Sequence, residues 1–434
     1  MQIYRYPSGN AEKKLHTIVN RGLRYKKKDL AAVERILEDV RRNGDRALVN
    51  YARRFDCPGL QTDSLQVTQA EFERAAKKVD RAFVRALNRA TRQIESFHRR
   101  QIERSWMTDD RKGTVLGQLV RPVGSAGVYV PGGKGGKTPL VSSVLMGAIP
   151  ARVAGVSKVC LVTPPTADGK VDPHLLAAAK KVGVDTVYKV GSAWAIAALA
   201  YGTERIARVD VIVGPGNIHV TLAKKIVSGT VGVDMVAGPS EILVIADSGA
   251  HPGFAAADLL SQAEHDPLAS SLLVTDSVAF AKAVSGEVET QLAQLPRKHI
   301  AAQSIASYGA IFCVRDIPAA ISLANDVAPE HLELLVADPF AHLSAIVNAG
   351  AVFLGAYTPE PVGDYIAGPN HVLPTAGTAR FSSALSVNHF LKKTSLIYYS
   401  QEAFRRDARS IVRLAQTEGL EAHARSVRMR MDNL

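Results

Sequence analysis

A carboxylate and an imidazole stand side by side in Asn325-Asp-Val-Ala-Pro-Glu-His-Leu-Glu333. Glu330 and His331 follow a proline and offer two proton-transfer groups of different intrinsic pKa in one short stretch. Such pairs are common on solvated surfaces, so their weight depends on company. Three other stretches supply it: Ser261-Gln-Ala-Glu-His265, Gly363-Asp-Tyr-Ile-Ala-Gly-Pro-Asn-His371 and Glu418-Gly-Leu-Glu-Ala-His423. On a helix Gln262 and His265 share a face and Glu264 points elsewhere. Asp364 and His371 lie in a Gly/Pro-rich run, the composition of a functional loop. Two imidazoles, a carboxylate and an amide oxygen would make a nitrogen/oxygen site suited to Zn²⁺. Taken alone, the same residues read better as unrelated surface polar groups.

Two glycine-rich turns follow strand-like runs. Gly132-Gly-Lys-Gly-Gly-Lys-Thr138 approaches a phosphate-binding P-loop, but position 131, where that pattern needs Gly, is Pro. Val213-Gly-Pro-Gly-Asn217 precedes a helix-like segment, Ile218–Ser228, and suits either an anion or cofactor site or a plain tight turn. The GxGxxG dinucleotide fingerprint is absent from the sequence.

These groups need a scaffold. Residues 29–110 read as helices, with Leu30, Val33, Leu37 and Val40 at helical spacing. From 113 onward short β-rich runs such as Val159-Cys-Leu-Val162 and Val209-Asp-Val-Ile-Val213 alternate with Ala-rich helical stretches. A second series runs from Ile242-Leu-Val-Ile245 to Ala351-Val-Phe-Leu354. The pattern predicts an α/β fold with two parallel sheets meeting near Ala237-Gly-Pro-Ser240, then a basic helical tail from about 400. The predicted division is a helical arm over 1–28, one α/β domain from 29–127 and 240–388, a second over 128–239, and a helical tail over 389–434.

At 434 residues, 47% hydrophobic and 22% charged, the chain has the make-up of a multidomain soluble enzyme. No apolar run reaches transmembrane length, and Met1-Gln-Ile-Tyr-Arg-Tyr-Pro holds no apolar signal core. Cys57, Cys160 and Cys313 lie far apart with no CxxC, which suits a reducing cytoplasm and excludes a thiolate zinc knuckle. The net charge of +12 resides at the chain ends. A basic anion- or nucleic-acid-binding protein is one reading of that excess. A solvated helical surface is the favoured one, because Lys26-Lys-Lys28 has no interleaved aromatics and no nucleic-acid module is present.

From about residue 30 to 430 the chain resembles the histidinol dehydrogenase family. The resemblance rests on Tyr129-Val-Pro-Gly-Gly133, Val213-Gly-Pro-Gly-Asn217, Ala237-Gly-Pro-Ser-Glu241, Asp258-Leu-Leu-Ser-Gln-Ala-Glu-His265, Ala328-Pro-Glu-His-Leu-Glu333, Gly363-Asp-Tyr-Ile-Ala-Gly-Pro-Asn-His-Val-Leu-Pro-Thr375 and Glu418-Gly-Leu-Glu-Ala-His423. It implies a four-electron oxidation of L-histidinol through the aldehyde to L-histidine, with two NAD reduced, as the last step of histidine synthesis. It also implies two Rossmann-like domains and an intertwined cytoplasmic homodimer, each site completed by the partner's tail. By the same resemblance Gln262, His265, Asp364 and His423 would hold one Zn²⁺. His331 would be the proton acceptor and Glu330 the activator of water. Ser240, Glu360, His371 and Glu418 would join the zinc ligands and His331 in holding the substrate, and Tyr129 and Asn217 would contact NAD.

Two stretches depart from the family. Gly191-Ser-Ala-Trp194 replaces Gly-Gly-Ala-Gln at the cofactor site, where Trp194 could stack on a ring or fill space. Lys134-Gly-Gly-Lys-Thr-Pro-Leu140 replaces a shorter, Tyr-Pro-containing loop. A paralogue oxidising another small polar alcohol is therefore the nearest rival, with a P-loop NTPase more remote.

Overall fold

The computed structural model describes residues 1–23, 27–132 and 139–433. The altered 134–140 loop and the P-loop-like run therefore lie largely outside the described residues. The strands are β1 (Ile3–Arg5), β2 (Trp106–Arg111), β3 (Thr114–Pro122), β4 (Ser125–Tyr129), β5 (Lys158–Thr163), β6 (Thr186–Lys189), β7 (Val211–Val213), β8 (Gly232–Val233), β9 (Glu241–Ala246), β10 (Ser270–Thr275), β11 (Gly309–Cys313), β12 (His331–Leu335), β13 (Ala351–Leu354) and β14 (Leu391–Tyr399). The chain divides into two compact units, one of Met1–Gln101 with Gly124–Phe390 and one of Ile102–Val123 with Leu391–Leu434.

The larger unit holds two parallel sheets. Their orders are β6-β5-β4-β7-β8 and β1-β11-β10-β9-β12-β13. Leaving β1 aside, each runs third, second, first, fourth, fifth in its own series, the Rossmann-like order without its sixth strand. Burial explains the near-continuous apolar runs: every residue of β9, β10, β11 and β12 is buried. Alternate residues feed opposite faces. Leu243, Ile245, Val274 and Phe312 pack with the helices Gly9–Val19 and Ile317–Val327. Ile242, Val244, Leu273 and Ile311 pack with Pro252–Ala263 and Val278–Leu292.

Three placements differ from the sequence expectation. The arm over 1–28 is not all helical, because β1 pairs in parallel with β11, Ile3 facing Ile311. A three-residue strand is set by its neighbour and carries no periodicity of its own. The long helix Lys27–Phe55, expected with the 240–388 domain, packs on the other sheet's helices Ser192–Tyr201 and Ile218–Val227 through Val33, Leu37, Val40 and Leu48. Its apolar stripe is generic and does not name its partner. The 389–434 segment opens with β14, not a helix. In the smaller unit β14 and β2 flank β3 in an antiparallel sheet, followed by the helices Gln401–Thr417 and Glu421–Met431. Among the described residues no helix is long and apolar enough to cross a membrane.

Candidate active site

The helix Ile317–Val327 ends at Ala328, a left-handed cap with φ 52°. The reversal turns the chain through Pro329 so that Glu330 and His331 enter the buried start of β12. Gly350 must be glycine there: a Cβ would sit 2.5 Å from the Glu330 carbonyl oxygen.

His331 is 4% exposed, and its Nδ1 lies 2.9 Å from the carbonyl oxygen of Glu241. A carbonyl can only accept, so Nδ1 carries the proton and Nε2 keeps its lone pair. Nε2 is buried and has no hydrogen-bond partner among the described residues. Burial pushes this imidazole down to about 4, and the nearby His265 and His371 act in the same direction. It is therefore a neutral base at pH 7. Glu330 Oε2 accepts from the Glu241 N–H at 2.9 Å and lies 3.8 Å from His331 Nδ1. Burial, reinforced by the charges of Glu241, Asp364 and Glu360, holds the Glu330 carboxyl well above the usual carboxylate range. A buried carboxyl beside a base is placed to exchange a proton with water.

Two helix ends converge on this pair. Pro252–Ala263 presents Gln262 in its last turn, fully buried with both amide atoms unpartnered, and His265, exposed, just beyond. The carbonyl-rich C-terminus of a helix favours a cation. The short helix Glu360–Tyr365 places Glu360 and Asp364 one turn apart, hydrogen-bonded to each other. Burial and the Asp364 charge push Glu360 up to about 8, and burial pushes Asp364 up to about 6. Ser261 Oγ donates to Glu360 Oε2 at 3.3 Å. His371 Nδ1 stands 3.7 Å from Asp364 Oδ1, its imidazole driven down to about 4 by burial. A cavity of about 180 Å³ is lined by His331, Phe353, Val362, Asp364, Asn370 and His371, among others. Ser240 precedes β9, and its carbonyl accepts from the Ser270 N–H at 3.0 Å.

The donor set fits a divalent cation. Buried carboxyls that resist ionisation, and an orphaned buried amide, are stabilised by a positive charge placed among them. Among the described residues His331, Glu360 and Asp364 bring ligand atoms within 4.8 Å of one another. This trio shares only Asp364 with the ligand set expected from sequence. Gln262 offers an amide oxygen without a partner among the described residues, and a metal on His331 Nε2 would consume the free base. Glu418 and His423 belong to the smaller unit, where both are exposed, Glu418 capping Gln401–Thr417 and His423 in the next helix.

The cofactor residues fare unevenly. Asn217 is exposed and caps the helix Ile218–Val227, its Oδ1 accepting from His219 and Val220. The turn before it follows β7 at the carboxyl end of the sheet, where α/β folds take dinucleotides. Gly214 there has φ 117°, and a Cβ would fall 2.1 Å from the Tyr129 carbonyl oxygen. Buried Lys224 and Asp234 grip its carbonyl and its N–H at 2.9 and 2.8 Å. Tyr129 is buried, and its hydroxyl accepts from the Ser192 N–H at 3.2 Å. Trp194 does not present an open face. It is 5% exposed and stacks on Tyr51 and Phe55 of the long helix, with centroids 5.6 Å away in both cases. The space-filling reading of the indole is the one this packing supports.

Sequence reasoning passed over Glu241, whose peptide braces both Glu330 and His331, and Glu333, fully buried, whose Oε1 accepts the Glu360 N–H at 2.8 Å. Alternation along β12 was the available signal: His331 and Glu333 fall on one face of a strand with no exposed residue. A larger cavity, about 690 Å³, opens at the amino ends of β4–β7 and holds no comparable reactive set.

The family described as histidinol dehydrogenase matches residues 20–431. The histidinol dehydrogenase of Desulfotalea psychrophila is 58% identical over 401 residues, covering 92% of both chains. That of Bacillus subtilis is 54% identical over 398 residues, again covering 92% of each. The crystal structure of histidinol dehydrogenase from Elizabethkingia anophelis aligns over 100% of this chain and 98% of its own, with a TM-score of 0.93 at 37% identity. With a family match spanning the site and both sheets, and relatives above half identity over most of their length, this chain belongs to the histidinol dehydrogenase family.

Proposed function

We propose that this chain oxidises L-histidinol to L-histidine by way of the aldehyde, transferring two hydrides to NAD, in the final step of histidine synthesis. The observation that carries the proposal is the buried, unpartnered Nε2 of His331, held neutral beside Glu330 and facing a cavity that also contains Asp364 and His371.

His331 Nε2 removes the hydroxyl proton of the alcohol as its carbon gives up hydride, which NAD accepts when bound. An aldehyde cannot yield a second hydride until hydrated. Glu330 takes a proton from the hydrating water, and His331 then deprotonates the hydrate in the second oxidation. Gln262, His265, Asp364 and His423 would hold Zn²⁺, whose fixed charge orients the substrate's imidazole and amine. Ser240, Glu360, His371 and Glu418 hold the substrate, with His371 near the developing carboxylate. Asn217 and its turn, and Tyr129 behind it, form the cofactor side.

The active form is an intertwined homodimer in which each tail completes the other copy's site with Glu418 and His423. The smaller unit supports this with exposed apolar side chains, including Trp106 at 53%, Met107 at 66%, Ile397 at 70% and Leu414 at 65%. The enzyme works in the cytoplasm. The test is NADH formed per L-histidinol consumed by zinc-replete protein, with the product identified. Two NADH and L-histidine support the reading. No turnover of histidinol would assign the scaffold to another small polar alcohol.

A further inference from the structure

Both reacting residues lean on the backbone of one residue. Glu241 donates its N–H to Glu330 Oε2 and accepts from His331 Nδ1 with its carbonyl, each at 2.9 Å. Glu241 opens β9 and follows residues 235–240, a connector between the two sheets with no regular structure of its own. Pairing with Ser270 in β10 holds Glu241 itself, and one side chain braces the connector before it.

The holder is Arg21. It lies in a short 3-10 turn, Arg21–Leu23, with its side chain 2% exposed. Nη2 donates to the carbonyl oxygens of Pro239 at 3.4 Å and Ser240 at 3.2 Å. Nη1 donates to Glu241 Oε1 at 3.1 Å and to the Ile18 carbonyl at 2.8 Å. Nε donates to the Leu268 carbonyl at 2.7 Å, in the loop between His265 and β10. One planar guanidinium thus fastens the connector, the end of the first helix and the loop leaving the metal-binding segment. A lysine ammonium, a single point with three donors, cannot span these acceptors.

We propose that Arg21 is a positioning residue for the dehydrogenation: by fixing residues 239–241 it keeps the Glu241 backbone where it locks His331 in the Nδ1–H tautomer with Glu330 alongside. The proposal rests on the histidinol-oxidising reading above. Its competitor is a purely structural role, in which Arg21 does no more than neutralise a buried Glu241.

Three variants separate the two: Arg21→Met, Arg21→Met with Glu241→Gln, and Arg21→Lys. Thermal midpoint, zinc content, kcat and KM for L-histidinol are measured, together with the His331 tautomer by ¹⁵N NMR. Arg21→Met strands a buried charge and lowers the midpoint. The double variant removes that charge, so its midpoint recovers part of the loss, while kcat stays about 10-fold low with KM and zinc unchanged, because a loosened base is misplaced. Arg21→Lys keeps its fold and loses kcat in the same way. In wild type His331 shows a single Nδ1–H tautomer, and in the double variant a mixture. Recovery of kcat together with the midpoint, full activity of Arg21→Lys, or an unchanged tautomer in the double variant would overturn the proposal. Wild-type protein inert toward histidinol would count against the proposed function, and the tautomer would still decide the role of Arg21.

Discussion

Glu333 offers a sharp perturbation. It is fully buried on β12, two residues from His331, and its Oε1 accepts the Glu360 N–H at 2.8 Å. Its carboxyl also hydrogen-bonds that of Asp258, one turn before Gln262. The pair therefore links the strand and both helices that carry the site. Replacing Glu333 by Ala strands the Glu360 N–H and the Asp258 carboxyl, at about 1–3 kcal/mol each. The void adds roughly 1–2 kcal/mol, for a total of about 3–8 kcal/mol. Glu333→Gln keeps an acceptor for the N–H and turns an amide donor toward Asp258, so its cost stays under about 1 kcal/mol.

The pH dependence separates the variants further. Burial, then the Asp258 charge, push Glu333 up to about 9 from an ordinary value of 4.5. Through that window the folded protein retains a proton that the unfolded chain has released. The stabilisation is complete below the unfolded pKa and is lost as pH rises through the folded one. Glutamine has no such proton. Urea denaturation from pH 6 to 9 should therefore show wild type losing stability relative to Glu333→Gln. Parallel curves for the two proteins, or a Gln variant as damaged as the Ala variant, would refute the protonated-pair reasoning.

His331→Gln should abolish turnover while zinc content, measured by atomic absorption, stays intact, and loss of the metal would remove His331 from the role of base. Glu330→Gln should slow oxidation of supplied L-histidinaldehyde more than that of L-histidinol, and equal slowing would end its water-activating role. Trp194→Ala should lower stability by about 3–5 kcal/mol in urea denaturation, the cost of emptying a buried aromatic site. A raised KM for NAD with stability unchanged would instead put the indole on the cofactor.

Much of this was legible before any coordinates. Ile242–Ile245 and Leu272–Val274 read as strands because burial on both faces leaves no polar alternation to confuse them. Glu330, His331, Asp364 and His371 stood out because ionisable residues beside Gly and Pro are poor core formers. What stayed hidden depends on partners far along the chain. Arg21 meets its acceptors 220 residues away, and β1 is a strand only because β11 offers an edge. The run Leu391–Tyr399 carries four polar residues in succession and pairs as a strand only once β3 is folded beside it. Trp194 lay in a motif that suggested the cofactor, yet Tyr51 and Phe55, more than a hundred residues earlier, decide its surroundings.

The central claim is that the metal leaves His331 Nε2 free. Anomalous diffraction at the zinc edge, on crystals grown with L-histidinol and without NAD, tests it directly. The account predicts one zinc peak bounded by Gln262, His265, Asp364 and His423, with His331 Nε2 in hydrogen-bond reach of the substrate hydroxyl. A peak coordinated by His331 with Glu360 and Asp364, the other set of converging donors, would leave the site without its base and contradict the mechanism.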